Sequence, residues 1–107
     1  MQHEVVGETV VMRFNGRLDF SDYNAIEEIL AREATRVDRG GVVLNLSGLE
    51  AITSSGISIL AKLSMDHRVK VVKPKDLVKD LLDLSGVSRI LDIVDAEDQA
   101  IRGLSGD

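Results

Sequence analysis

Thr53-Ser54-Ser55-Gly56 sets three hydroxyls and a glycine directly ahead of an apolar run that opens at Ile57. Residues of these types in this order can do two things. At a strand-to-helix junction a hydroxyl accepts the orphan N–H groups of the first helical turn, and a following glycine lets the backbone turn tightly. An exposed hydroxyl in the same place can instead accept a phosphoryl group, which adds about −1.5 to −2 charges near neutral pH, and a helix N-terminus tolerates or favours that charge. Modification there would leave the fold intact and would act, through bulk and charge, on whatever docks against that surface.

Elsewhere the chain carries no recognisable reactive constellation. The chain has no Gly-x-Ser-x-Gly elbow, no Ser-x-x-Lys, no phosphate loop ending in Gly-Lys-Ser/Thr and no His-Glu-x-x-His. His3 and His67 are the only imidazoles, and neither lies in a carboxylate pattern of metal-ligand spacing; His67 is expected to face solvent after a helix. The acid pairs Glu27-Glu28 and Glu97-Asp98 are expected on polar helix faces, where solvation is the default explanation. With no cysteine, thiolate catalysis, disulfide scaffolds and cysteine-based zinc sites are excluded. No catalytic residue, metal site or cofactor is expected.

The elements that must position the hydroxyl cluster follow from periodicity. Val5-Val6 and Thr9 to Phe14 are two extended runs around Gly7-Glu8, a hairpin that should end at Asn15-Gly16. From Asp22 the apolar spacing becomes helical, through Tyr23, Ile26, Leu30, Ala34 and Val37, with Ser21 as the expected cap. After Gly40-Gly41, the run Val42 to Leu46 lacks alternation and should be a central strand covered on both faces, ending in turn chemistry at Ser47-Gly48-Leu49-Glu50. The helix after Thr53-Ser54-Ser55-Gly56 should carry Ile57, Leu60, Ala61 and Ser64 on one side.

Arg68 to Lys73 is the next strand, and Pro74 suits the first position of a helix whose Leu77, Val78, Leu81, Leu82 and Leu84 should form one buried stripe up to Gly86. Ile90 to Ile93 reads as a short strand, and Asp95 as the cap of a last helix with Ala96, Ala100, Ile101 and Leu104 inward. Hairpin first and strand–helix alternation afterwards imply an α/β fold: a mixed sheet of an N-terminal hairpin plus parallel strands, packed with about four helices.

The 107 residues are 44% hydrophobic, carry a net charge of −5 and fit one small domain spanning residues 1–107. No apolar run approaches the roughly 20 residues that span a bilayer, and the Met1-Gln2-His3-Glu4 start lacks the zones of a signal peptide, so direct membrane insertion is not expected and a cytoplasmic location is. The acidic balance and the scarcity of aromatics (Phe14, Phe20, Tyr23) argue against a nucleic-acid ligand. Arg68, Lys70, Lys73, Lys75 and Lys79 form a basic stretch, and Asp92, Asp95, Glu97 and Asp98 an acidic one; both read as solvated faces.

Four segments, Gly16-Arg17-Leu18-Asp19, Val42 to Ser47, Thr53 to Leu60 and Leu82-Asp83-Leu84-Ser85-Gly86-Val87, resemble in order and spacing the successive signatures of the STAS domain family, specifically bacterial anti-sigma factor antagonists. The resemblance covers nearly the whole chain. It implies a STAS-like fold and a protein without catalytic activity that works by partner switching. The unphosphorylated antagonist binds an anti-sigma factor that is also a serine kinase; phosphorylation ends the interaction, and a serine phosphatase restores it. The family's phosphoacceptor falls on Ser54, with Thr53 and Ser55 as lesser candidates. Thr53, Ser54, Ser55, Gly56, Ile57 and Leu60 would form the partner-binding surface. The resemblance leaves the oligomeric state open.

Two positions depart from the family pattern: Thr53 stands where an Asp normally precedes the acceptor, and Asn45 where an Asp usually ends the central strand. Both changes remove a negative charge and are expected near the same loop. Thr53 can cap the helix or face the loop, and the Asn45 amide oxygen can still accept from neighbouring N–H groups. The lost acids keep a second reading open, a constitutive STAS subunit of a lipid-transport or stress-signalling complex that is not phosphorylated. The span from Leu60 to Val69 is short for the family and implies a trimmed helix.

Overall fold

The computed structural model describes residues 1–106. Strands β1 (Gln2–Val6), β2 (Thr9–Leu18), β3 (Val42–Ile52), β4 (Val69–Val72) and β5 (Ile93–Val94) form one sheet in chain order. The β1–β2 pair is the expected antiparallel hairpin, and all later pairs are parallel. Central β3 is indeed covered on both sides, with Val42, Val43 and Leu44 wholly buried.

Two strands overrun their expected ends. β2 continues through Asn15-Gly16 and β3 through Ser47-Gly48-Leu49-Glu50, with register shifts between Arg13 and Asn15 and between Gly16 and Arg17. Turn-type residues here serve bulges within paired strands. Gly16 takes the left-handed backbone at φ 74°, and Gly48 leaves the space that the Asn15 amide occupies; a Cβ there would collide with it.

Helices α1 (Tyr23–Arg32), α2 (Ala34–Gly40), α3 (Ser54–Asp66), α4 (Asp76–Ser85) and α5 (Glu97–Ser105) give five where about four were expected, because the first amphipathic segment breaks at Glu33. Its start is a 3-10 turn, Phe20–Asp22, capped not by Ser21 but by Asp19: the Asp19 carboxylate accepts from the Ser21 N–H at 2.9 Å, and the Asp22 carboxylate accepts from the Asp19 N–H at 3.0 Å. α3 is 13 residues long, so the helix expected to be trimmed is the longest of the described helices. Its inward side is Gly56, Ile59, Leu60 and Leu63, with Ile57, Ala61 and Ser64 at the margin.

Pro74 lies two positions before α4, with Lys75 as the N-cap. The five α4 leucine and valine residues do not share one buried stripe: Val78 and Leu82 enter the core, whereas Leu77 is 62% and Leu84 84% exposed. A 100° advance per residue puts positions 77 and 84 well round the helix from 78 and 82. Gly86 ends α4 in the left-handed conformation, as expected. Val87–Arg89 then forms a 3-10 turn that displaces the last strand to Ile93–Val94, and Ala96, not Asp95, is the N-cap of α5.

The core has two parts. On one face of the sheet Val10, Met12, Leu44, Leu46 and Val71 meet side chains from α1, α2, α3 and α4; on the other, Val11, Val43 and Val72 meet Ala100 and Leu104 of α5, with the half-buried Val94 and Ile101 packed against them. None of the described helices is long and apolar enough to cross a membrane.

Candidate functional site

β3 delivers Thr53 to the end of the sheet where the parallel strands finish, and α3 begins at the next residue. Thr53 is the N-cap in extended backbone, φ −94° and ψ 171°, and its hydroxyl accepts from the Gly56 N–H at 3.1 Å. The same oxygen lies 2.9 Å from Ser55 Oγ and 3.4 Å from the Leu18 carbonyl oxygen, which also accepts the Thr53 N–H at 3.1 Å. So the capping role foreseen for Thr53 is the one it takes, and it also ties the β3–α3 junction to the end of β2.

Gly56 completes that tie. A Cβ at this position would collide with the Leu18 carbonyl and with the Ile52 side chain, so α3 can sit this close to β2 only with glycine here. Ser54 is exposed, and among the described residues its hydroxyl has no hydrogen-bond partner, although its carbonyl accepts from Ser58 Oγ at 3.1 Å. Ser55 and Ile57 are half-buried; Gly56 and Leu60 are buried, so these two back the surface from within. The neighbouring 3-10 turn packs on α3 and presents Phe20, whose ring stacks on Tyr23 with centroids 6.0 Å apart. Hydrogen bonds from Ser21 hold the Asp19 carboxyl below its ordinary range. On the other side, Lys75 pairs with Glu50 and links the start of α4 to the end of β3.

Asn45 lies apart from this loop. Its amide oxygen accepts from the Ser47 N–H at 2.9 Å and hydroxyl at 2.7 Å, as its chemistry allows, while its amide nitrogen donates to Glu97 at 2.5 Å. Glu97 opens α5 and receives a two-pronged bond from Arg13, Nε at 2.7 Å and Nη2 at 2.8 Å; Arg13 also pairs with Glu4. The Arg13 guanidinium holds the Glu97 carboxyl below its usual range, against the opposing effect of burial and with help from Asn45. Thr53 and Asn45, expected beside one loop, therefore have separate partners. An Asp at position 45 would turn a carboxylate onto Glu97, which is the physical reason for an amide. No pattern in a single sequence links Arg13 to Glu97, 84 positions away.

The remaining candidates stay separate. His67 is half-buried and His3 exposed, and among the described residues no cluster of three or more His, Cys, Asp or Glu could hold a metal. In the basic stretch, Lys70 pairs with Asp92, Lys79 with Asp83, and Arg68 donates to the Leu104 carbonyl at 2.5 Å. A shallow hollow of about 610 Å³ lies between Val6 to Thr9, Arg39, Arg68 and Leu104.

A central strand feeding a helix-capping Thr-Ser-Ser-Gly junction, in a mixed sheet with β1 antiparallel at its edge, is the STAS arrangement, and the chain belongs to the STAS domain family, whose pattern matches residues 1–100. It is similar in structure to the anti-sigma factor antagonist SpoIIAA in its unphosphorylated form, at 27% identity and TM-score 0.69 over 99% of this chain and 96% of that one. The Bacillus cell fate determinant SpoIIAA in the phosphorylated form is 26% identical, with TM-score 0.61 over 96% and 97%. A Thermotoga maritima protein assigned as an anti-sigma factor antagonist shares the fold at 19% identity, with TM-score 0.79 over 96% and 92%. No curated protein sequence matches the chain.

Proposed function

We propose that this chain, as a single STAS domain over residues 1–107, is an anti-sigma factor antagonist. It binds an anti-sigma factor that is also a serine kinase, and phosphate on Ser54 controls the binding. The observation that carries this reading is the exposed Ser54 hydroxyl, unpartnered among the described residues, at the first position of α3, in a fold similar to a protein solved in both unphosphorylated and phosphorylated forms.

The chemistry is simple. Ser54 points outward from a helix N-terminus whose cap is already supplied by Thr53, so a phosphate can be added without removing a hydrogen bond that the fold needs. The added charge and bulk change the surface formed by Thr53, Ser54, Ser55 and Ile57 over the buried Gly56 and Leu60, and the partner leaves. A serine phosphatase resets the cycle. In this reading the protein acts in the cytoplasm, has no catalytic activity of its own and binds no nucleic acid.

Peptide mass spectrometry of the protein isolated from its native cells tests the reading directly. Phosphate on Ser54 is expected, with loss of the signal in Ser54→Ala; bare Thr53, Ser54 and Ser55 across growth conditions would instead assign the domain a constitutive role.

A further inference from the structure

The chain contains three aromatic side chains. Phe14 is in the core, whereas Phe20 is 71% exposed and lies on the half-buried Tyr23 with the two rings 1° from parallel. The turn that carries Phe20 is fixed on three sides: Asp19 and Asp22 cap each other's N–H groups, the turn packs on α3, and the Leu18 carbonyl just before it holds the Thr53 N–H. A large apolar ring is thus held at the surface, on the turn that packs against the helix Ser54 opens, with little freedom left to lose on binding, and rings of this kind bury about 150–250 Å² when covered. None of these local bonds uses the ring, whose aromatic contact is the stack on Tyr23.

The surroundings select the occupant. Asp19 is paired with Arg17 at 3.2 Å, while Asp22, whose carboxylate accepts from the Asp19 N–H, has no cationic partner among the described residues, so the turn that carries the ring holds one unpaired acid. Two copies meeting ring to ring would bring these acids together on molecules of net charge −5 each, which disfavours self-association. We propose that Phe20 is the apolar anchor of the Ser54 docking surface, entering an apolar pocket edged by lysine or arginine on the serine kinase partner. This rests on the antagonist reading above and adds to it the residue that supplies affinity.

The test titrates wild-type protein, Phe20→Ala, Phe20→Leu and Ser54→Asp into each purified anti-sigma factor kinase encoded in the native genome, with heat of binding as the readout. Phe20→Ala is expected to weaken binding by about tenfold or more, with Phe20→Leu between it and wild type and unfolding midpoints alike. Binding of Phe20→Ala within about twofold of wild type, while Ser54→Asp binds weakly, overturns the anchor and leaves the antagonist reading standing. Absence of binding by wild type to every kinase overturns both. Sedimentation of a wild-type dimer that Phe20→Ala converts to monomer would give the ring to a second copy and also overturn the proposal.

Discussion

On one face of the sheet four helices close on a core of twenty buried residues among those described, while on the other a single helix, α5, sets Ala100 and Leu104 on Val11, Val43 and Val72, five in all. The small face compensates with polarity. Where α5 starts, Glu97 gathers Arg13 and Asn45, and where it ends, the Leu104 carbonyl takes a hydrogen bond from Arg68. The large face is held by apolar area, which has no direction; the small face is held at both ends of its helix by bonds that do. Apolar burial scales with area at roughly 25 cal/mol per Å², so a face with few buried side chains relies more on each specific contact. Because an ion pair anchors its start, α5 is the element whose attachment should respond most to pH.

Substitutions on the two faces should separate apolar from polar attachment. Leu44 and Val43 are adjacent in β3, both wholly buried, and face opposite ways. Leu44→Ala should cost about 2–5 kcal/mol in denaturant unfolding. Val43→Ala should cost about 1–2 kcal/mol, near 0.8 for each methyl-sized group removed, and Val42→Ala, the same deletion on the large face, should cost more; equal losses from the two valines would erase the distinction between the faces. Asn45→Asp should follow at about 1 kcal/mol near neutral pH, by setting a second carboxylate against Glu97, and Glu97→Gln in the same chain should restore stability. A like effect in the double variant would place the cost elsewhere.

Acid should loosen the small face first. The folded-state value of Glu97 is lowered, so its contribution is complete above the ordinary carboxyl value of about 4.3 and is lost as the pH falls through the lower folded value. Hydrogen exchange followed from about pH 6 to about pH 3, corrected for the intrinsic rate, should show α5 amides losing protection before those of β3, with Glu97→Gln removing the pH dependence. The smallest effect belongs to the exposed side of α4: Leu77→Ser should change stability by no more than about 0.5 kcal/mol, and a larger loss would mean that this leucine is covered in solution.

Much of the large face is legible in the sequence, because periodicity reports which side chains turn inward. The hairpin, the parallel order and the central strand all follow from it. Periodicity fails where two explanations share one pattern. Val37 continues the spacing of α1 yet belongs to α2, and Leu77 and Leu84 look as buried as Val78 and Leu82 because five apolar residues within eight positions exceed what one helix face can hide. Asn15-Gly16 and Ser47-Gly48 carry turn residues that the fold uses for bulges inside paired strands. At the hydroxyl cluster, the cap at Thr53 follows from local chemistry alone. The setting of Asn45 does not, since its partner Glu97 lies 52 positions away and is itself held by Arg13, and neither does the rigidity of Phe20, which depends on the contact of its turn with α3.

Gly56 lying against the Leu18 carbonyl has a consequence for how Ser54 could be read. The junction is assembled from two strands, with the Thr53 hydroxyl and Leu18 separated by 35 positions, and no linear fragment around residue 54 contains both. An enzyme acting on Ser54 would meet a shape and not a string, so arrays of short peptides would miss a true substrate. Denaturation would then silence the acceptor without touching it chemically, making the folded state itself part of the signal.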